Sequence, residues 1–247
     1  MELTPKQKQA RELVCLALDL NSKQEILDTV EELKDLVGYF KLNSAFTSFG
    51  PELIKEIKQK GAKIFLDLKF HDIPNTLANY AEAAVKLDID MFNVHIAGGK
   101  EMMQSAIKKA EETSKQLNKQ RPKIIGVTIL TSINQDILSN ELNIQEGLKQ
   151  QVLNFAKLAN ESGLDGIVCS SADLDEIKDK FPENFLFVTP GVKGVSTPAG
   201  EDQKRVFSPA NAVKAGSSLL VIGRAILAAP DRKAAALEIL EDIGKVL

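Results

Sequence analysis

A stretch of twelve residues combines charged side chains with an apolar strand pattern in a way that packing alone does not require. It reads Phe65-Leu66-Asp67-Leu68-Lys69-Phe70-His71-Asp72-Ile73-Pro74-Asn75-Thr76. Asp67 and Lys69 are two positions apart, so on a β-strand their side chains leave the same face. Such a pair is either a pre-positioned acid–base pair at a site or a structural salt bridge. Asp72 is also open to two interpretations, a chemical group or the N-cap of the helix that Pro74 begins.

Two other apolar runs carry a charge at the same kind of place. Asp19 ends the run that begins at residue 14, and Lys41 lies near the end of the run that begins at residue 38. A charge embedded in an apolar strand is costly unless it is paired, and three successive runs each carry one. Charges at this density indicate a site more often than a scaffold. The two lysines and two or three aspartates are predicted to alternate, each ammonium held between carboxylates.

The charged positions lie on a pattern of eight short apolar runs. Most of these runs are continuous rather than alternating, as is typical of parallel strands covered on both faces. They span residues 14–20, 38–43, 63–70, 90–96, 123–130, 166–170, 185–190 and 219–223. An open doubly wound sheet shows the same alternation of strand and helix, but eight units in about 250 residues favour a closed barrel. We therefore predict an α/β fold, a (β/α)8 TIM barrel, that forms a single domain over residues 1–247.

Helices and one long loop complete the predicted barrel. Pro51 and Pro74 are each predicted to open a helix, where a missing N–H costs little, and residues 144–161 have helical apolar spacing. Residues 191–203 contain three glycines and a proline and directly follow the seventh predicted strand. Because barrels carry their chemistry on the loops after the strands, we predict that this segment is a mobile lid. An ordinary flexible surface loop is the alternative.

Composition argues against several classes of partner. The net charge is −3, only 5% of residues are aromatic and there is no Trp, which argues against a nucleic-acid-binding surface. No apolar run reaches the length of a membrane span, and the first residues do not lead into a signal-peptide pattern. Cys15 and Cys169 lie in apolar segments, which favours buried reduced thiols over a disulfide. We predict a cytoplasmic protein with no nucleic-acid or membrane partner.

The charged motif and several others occur in the order typical of one enzyme family. Over residues 16–227 the chain resembles the orotidine 5'-phosphate decarboxylases. The core Asp67-x-Lys69-x-x-Asp72 is shared with sugar-phosphate decarboxylases and synthases of the same superfamily, whereas the longer motif that ends at Thr76 is more specific. The other matching motifs are Ala17-Leu18-Asp19, Lys41, Asn93-Val94-His95 with Ala97-Gly98-Gly99, Val127-Thr128-Ile129-Leu130-Thr131-Ser132, Thr189-Pro190-Gly191 and Val221-Ile222-Gly223-Arg224.

This resemblance implies a cofactor-free decarboxylation of orotidine 5'-phosphate to uridine 5'-phosphate (UMP) and CO2 in pyrimidine biosynthesis. It implies that Lys69 stabilises a carbanion at C6 of the pyrimidine and then delivers the proton. It implies a charged tetrad, of which Lys41 and Asp67 also bind substrate: Lys41, Asp67, Lys69 and Asp72. The further substrate-binding residues are Asp19 for the ribose hydroxyls, Thr131 for the pyrimidine, Gln203, Gly223 and Arg224 for the phosphate, and Pro190 and Lys193 near the lid.

The resemblance also implies a homodimer with shared sites. Asp72, Ile73 and Thr76 are implied to reach into the neighbouring subunit's site, so residues 72–76 of one chain complete the site of the other. One position departs from the family, which usually has Arg where this chain has Lys193. Lysine keeps the charge but lacks the bidentate fork of arginine, so we expect a weaker grip on the phosphate or a changed lid latch.

Two other functions compete with this interpretation. A metal-dependent sugar-phosphate decarboxylase or synthase on the same barrel could place a metal between His71 and His95, with Asp67 or Asp72 as a further ligand. Two histidines are thin evidence for such a site, so we predict no metal and no cofactor. The second alternative is a non-catalytic barrel that binds a nucleotide phosphate. An assay of orotidine 5'-phosphate consumption without added metal separates the three functions.

Overall fold

The computed structural model describes residues 2–191 and 207–247, and in these residues eight parallel strands close into a barrel. Each strand pairs with the next along the chain, and the eighth returns to pair with the first. The strands are β1 (Val14–Ala17), β2 (Tyr39–Leu42), β3 (Ile64–Phe70), β4 (Met91–His95), β5 (Lys123–Val127), β6 (Gly166–Val168), β7 (Leu186–Pro190) and β8 (Leu219–Ile222). This architecture confirms the predicted (β/α)8 fold. The single domain over residues 1–247 stays a prediction.

Helices alternate with the strands along the chain. Within the described residues they are α1 (Pro5–Glu12), α2 (Lys23–Leu33), α3 (Ser44–Gln59), α4 (Pro74–Lys86), α5 (Gly99–Leu117), α6 (Leu148–Ser162), α7 (Leu174–Ile177), α8 (Pro209–Ala215), α9 (Arg224–Leu227) and α10 (Arg232–Gly244). A turn of π-helix, Ile137–Glu141, lies between β5 and α6. α1 precedes the first strand, and Lys6 Nζ on it donates to the carbonyl oxygen of Gly244. This hydrogen bond connects α1 to α10.

Local sequence signals set where several helices begin. Pro74 is the first residue of α4, as predicted. Pro51 lies within α3, but Gly50 before it has a φ of 65°, so the helix is kinked there and Pro51 begins its second segment. The helix predicted from residue 144 begins at Leu148, whose N–H donates to Gln135 Oε1 at 2.6 Å. The side chain of Gln135 therefore caps a helix start that the apolar spacing placed four residues too early.

The strands separate two apolar cores. The larger core lies between the barrel and its helices and includes Leu16, Phe40, Leu66 and Phe92. The smaller core fills the barrel interior and contains Cys15, Ala17, Phe65, Met91, Ile125, Val188, Leu219 and Val221. Because neighbouring residues of a strand face opposite sides, strands that pack on both faces have no polar face, which explains their continuous apolar runs.

The same alternation sets the positions of the polar side chains at one end of the barrel. On the neighbouring strands β1 to β4, the residue two positions beyond an interior side chain is polar. These four residues are Asp19, Lys41, Asp67 and Asn93. Because the carboxyl ends of parallel barrel strands share one rim, the four side chains meet at the mouth of the barrel.

Two further expectations concern membranes and cysteines. Among the helices of residues 2–191 and 207–247, none has both the length and the apolar character that a membrane crossing requires. Cys15 and Cys169 are both free and buried, which confirms the expectation of reduced thiols. Burial raises the pKa of both thiols well above the ordinary range, so neither is a thiolate at neutral pH.

Candidate active site

A cavity of about 580 Å³ opens at the carboxyl ends of the strands. It lies where barrels of this kind carry their active sites. Eight of the residues that the sequence predicted for the site line it: Asp19, Lys41, Asp67, Lys69, Thr131, Pro190, Gly223 and Arg224. They come from six separate parts of the chain: after β1, on β2, on β3, after β5, at the end of β7 and after β8. The fold therefore brings together residues that are up to 205 positions apart, from Asp19 to Arg224.

The charged side chains form a row on one wall of the cavity. Lys41 Nζ lies 3.9 Å from Asp19 Oδ1 and 3.1 Å from Asp67 Oδ2. Lys69 Nζ donates to Asp67 Oδ1 at 2.7 Å. The predicted alternation of carboxylate and ammonium is thus present over these four residues of a single chain. Lys41 and Asp67 are each only 8% exposed, so their charges are largely removed from water and interact strongly.

Asp67 is the centre of this row. Burial by itself would raise the pKa of Asp67, but the ammonium groups of Lys41 and Lys69 outweigh it. Hydrogen bonds from Lys69 and Asn93 add to the effect, and the pKa of Asp67 is held below its ordinary value. The carboxylate of Asp67 therefore keeps its negative charge at neutral pH.

Lys69 departs from regular strand geometry. Between Leu66 and Phe70 the pairing of β3 with β4 shifts, because Leu66 pairs with Phe92 and Phe70 pairs with Val94. Lys69 has a φ of 51°, a left-handed conformation that costs a residue with a Cβ about 1–3 kcal/mol. Asp67 and Lys69 both line the cavity, as predicted, although the strand at Lys69 is not regular. The two side chains still meet, because the bulge redirects Lys69 toward the carboxylate.

Asn93 was given no role from the sequence, although it falls within a motif that we matched to the family. It is 1% exposed, and its Nδ2 donates to Asp67 Oδ1 at 2.6 Å. Its Oδ1 accepts the backbone N–H of Lys69 at 2.8 Å. The sequence signal was an amide side chain in an otherwise apolar strand, at the position where the first three strands carry charge.

The opposite wall of the cavity is apolar. It consists of Val127, Ile129, Leu130, Val168, Val188 and Val221 from β5 to β8 and the loop after β5. Thr131 lies at the end of this wall and is exposed. A cavity with one charged wall and one apolar wall suits a flat ring that carries an anionic group on one edge.

Two histidines lie beside the charged row. The ring centroids of His71 and His95 are 5.5 Å apart. Burial, the neighbouring His71 and the Lys69 ammonium together lower the pKa of His95. Within residues 2–191 and 207–247 no group of three His, Cys, Asp or Glu side chains is arranged to hold a metal ion, so the histidine pair gains no third ligand there.

The segment after β3 does not line the cavity of its own chain. Asp72, Ile73 and Thr76 are not among the lining residues. Asp72 Oδ1 accepts the N–H of Ile73, and its Oδ2 accepts the hydroxyl of Tyr80 at 3.2 Å. The N-cap of α4 is Ile73, so the alternative that Asp72 caps this helix is wrong. Ile73 is 66% exposed, more than any other large apolar residue among those described.

Part of the predicted site lies outside the described residues. Lys193, Gln203 and all of the predicted lid after Gly191 belong to residues 192–206. Gly191 itself lines the cavity and has a φ of 79°, a conformation that favours glycine. Gly223 follows β8, and a methyl group in place of its hydrogen would be in ordinary van der Waals contact with Ala17 and Asp19. The ends of β7 and β8 thus face the same cavity as the charged row.

Comparison with known proteins agrees with this geometry. Residues 12–239 match the orotidine 5'-phosphate decarboxylase / HUMPS family. The chain belongs to this family. The family match confirms the resemblance that the motifs indicated and extends it toward both ends of the chain.

Individual relatives of this family cover nearly the whole chain. The orotidine 5'-phosphate decarboxylase of Moorella thermoacetica is 43% identical over 96% of this chain and 94% of its own length. That of Carboxydothermus hydrogenoformans is 43% identical over 96% of this chain and 98% of its own. The crystal structure of orotidine 5'-phosphate decarboxylase from Lactobacillus acidophilus has a TM-score of 0.82 and 38% identity, covering 93% of this chain and 98% of that one.

Proposed function

We propose that the chain decarboxylates orotidine 5'-phosphate to UMP in pyrimidine biosynthesis, with Lys69 as the proton donor. The observation that carries this assignment is the position of the Lys69 ammonium. It lies in the cavity, 2.7 Å from a buried, ionised carboxylate, and opposite an apolar wall on which a pyrimidine ring can lie. Family membership supports the reaction, and the geometry supports the residue.

The chemical step needs a cation beside the reacting carbon. When the bond between C6 and the carboxylate breaks, CO2 leaves and the electron pair stays on C6 in the plane of the ring. The Lys69 ammonium stabilises this negative charge and then transfers a proton to C6, which completes UMP. Lys69 becomes a neutral amine and regains a proton from solvent. Bonds and charges balance with the side chains of this chain and water.

Asp67 has a second role, at the substrate carboxylate. Because its pKa is lowered, Asp67 faces the anionic substrate as a carboxylate. Like charges in contact raise the free energy of the bound substrate, and this repulsion disappears as CO2 leaves. Lys41, 3.1 Å from Asp67, keeps the carboxylate in place when the substrate arrives. The charged row therefore works as a unit, because its members interact with one another.

The rest of the substrate is assigned to the other lining residues. Asp19, at the end of the charged row, is proposed to bind the ribose hydroxyls, and Thr131 the pyrimidine. Gly223 and Arg224 lie at the end of β8, where barrels commonly bind phosphate, and are proposed for the phosphate together with Gln203. Pro190 and Lys193 are proposed to shape the same end. Phosphate binding far from C6 can contribute free energy to the chemical step by closing the site.

We propose that the working form is a homodimer in which Asp72, Ile73 and Thr76 complete the neighbouring site. The exposure of Ile73 supports an apolar contact there. The hydrogen bonds of Asp72 to Ile73 and Tyr80 hold its carboxylate outside the chain's own cavity, as a residue that serves another subunit requires. The two buried thiols support a reducing compartment, and we propose a cytoplasmic location.

Complementation between inactive variants tests the shared site. Lys69→Ala and Asp72→Ala are each expected to be inactive as pure proteins. After unfolding and refolding together, about one quarter of the parent's activity is expected, because half of the dimers are mixed and each mixed dimer has one intact site. A mixture that stays inactive while sedimenting as a dimer contradicts the shared site.

A spectrophotometric assay tests the function itself. Purified protein is given orotidine 5'-phosphate without added metal, and the loss of substrate absorbance is followed with and without a chelator. We expect turnover that the chelator leaves unchanged. Turnover that the chelator stops favours the metal-dependent alternative, and binding of UMP without turnover favours the non-catalytic barrel.

A further inference from the structure

We propose that Asn93 is a positioning residue that holds Lys69 and Asp67 in their reactive geometry. This inference rests on the proposed function, because it assigns a role in the proton transfer by Lys69. Three hydrogen bonds carry it: Asn93 Oδ1 accepts the Lys69 N–H, Asn93 Nδ2 donates to Asp67 Oδ1, and Lys69 Nζ donates to the same Oδ1. Together these bonds close a ring through all three residues.

The location of Asn93 separates it from the residues that touch substrate. It is 1% exposed and is not among the residues that line the cavity. Asp67 and Lys69 lie between it and the cavity and are both lining residues. Asn93 therefore acts through them, as a support below the charged row.

The backbone of Lys69 needs such a support. Between Leu66 and Phe70 the regular pairing of β3 with β4 is interrupted, so Lys69 lies in the irregular part. Its φ of 51° is a conformation that residues with a Cβ adopt only when their surroundings impose it. The Asn93 side chain, which lies on β4, accepts the N–H that the interrupted ladder leaves without its usual partner.

An amide suits this position because it both donates and accepts. The backbone N–H of Lys69 can only donate, and the ionised Asp67 can only accept. The orientation of the amide is therefore determined by its two partners. An apolar residue loses both bonds, and a carboxylate keeps the acceptor but places a second negative charge 2.6 Å from Asp67.

The first test is Asn93→Ala. We expect kcat for orotidine 5'-phosphate to fall about 100-fold, because small displacements of a reacting group have effects of this size. The dissociation constant of UMP is expected to stay close to that of the parent, because the Asn93 side chain does not line the cavity. A fall in kcat of less than about tenfold overturns the proposal.

The second test is Asn93→Asp, which distinguishes positioning from bulk stability. When protonated, the new carboxyl can again accept from Lys69 and donate to Asp67, so it replaces the amide. The ratio of variant to parent kcat is therefore expected to rise as the pH falls. Lys41, Asp19, His95 and His71 are the other charged or titratable groups that face this region, and they are the same in parent and variant, so the ratio cancels their common effect. A ratio that does not change with pH overturns the proposal. This test does not depend on the alanine variant, so it remains decisive if that variant fails to fold.

A matched control removes a buried hydrogen bond elsewhere. Thr189 on β7 is fully buried, and its hydroxyl lies 2.6 Å from that of Ser217. Thr189→Val is expected to lower stability without the kcat loss or the pH-dependent ratio. If the parent does not consume orotidine 5'-phosphate, the proposed function fails. If the parent is active and the Asn93 variants match it in kcat and pH dependence, only this inference fails.

Discussion

Carboxylates are held in ion pairs at both ends of the barrel, but their partners differ. At the amino end, Asp165 precedes β6, accepts the N–H of Ile124 at 2.7 Å and pairs with Arg121 through two hydrogen bonds of 2.9 and 2.6 Å. Asp90 precedes β4 in the same way, accepting the N–H of Ile64 at 2.7 Å. These carboxylates satisfy backbone donors at the start of the preceding strand.

At the carboxyl end, the donors to Asp67 among residues 2–191 and 207–247 are side chains. They come from Lys69 and Asn93, and Lys41 lies at 3.1 Å. Asp67 and both lysines line the cavity described above, and neither Asp165 nor Arg121 is among its lining residues. The ion pair of Asp165, which is bonded to the backbone, therefore belongs to the scaffold. A charged row without backbone partners, beside a residue of positive φ, belongs to the chemistry.

The largest effect is expected for Lys69→Ala. Loss of the ammonium removes both the stabilisation of the carbanion and the proton donor, so kcat should fall by at least about 1,000-fold. The matched control is Lys58→Ala at the amino end, where Lys58 pairs with Asp90 at 2.8 Å. That variant should keep the parent's kcat. If Lys69→Ala retains most of the turnover, the ion pair at the carboxyl end is not catalytic, and the proposed difference between the two ends of the barrel is wrong.

A smaller effect on binding is expected for Arg224→Ala at the end of β8. One lost charge-assisted contact to phosphate should weaken UMP binding about 10- to 100-fold, measured by calorimetry. The free energy of unfolding should change much less. Arg121→Ala, the same substitution at the amino end, should leave UMP affinity unchanged. Equal UMP affinity of Arg224→Ala and the parent refutes the phosphate role.

An effect on stability alone is expected for Asp165→Asn. The substitution weakens the pair with Arg121 and the bond to the strand N–H, and we expect the free energy of unfolding to fall by about 1.5–3 kcal/mol. Urea unfolding measures this change, and kcat should equal the parent's. If the Asp165→Asn variant has normal stability but a reduced kcat, Asp165 belongs to the catalytic machinery and not to the scaffold.

The smallest effect concerns stability in acid. Because the pKa of Asp67 is lowered in the folded state, its ionised form stabilises the fold above the unfolded pKa of 3.8. This contribution is lost as the pH falls through the lower folded pKa, since the unfolded state then binds the proton more readily. In Asp67→Asn, the free energy of unfolding should decrease less steeply below about pH 4. The free energy of unfolding is measured with urea at several pH values. If it falls equally steeply with decreasing pH in the variant and the parent, the prediction is contradicted.

Much of the fold and part of the site could be predicted from local sequence. The continuous apolar runs placed the strands, and Asp19, Lys41 and Asp67 stood out as charges at the ends of these runs. The starts of α4 and of the second segment of α3 followed from proline. α6 did not follow in this way, because its start depends on the side chain of Gln135, thirteen residues earlier.

By itself, the sequence determined which residues of a regular strand share one face, because strand alternation follows from the sterics of each residue and its neighbours. Only the tertiary structure decided the bulge at Lys69 and the double hydrogen bond of Asn93. These depend on how β3 and β4 pair, and so on groups more than twenty residues apart. A local sequence pattern does not give the distance between such groups, because that distance is set only when the barrel closes.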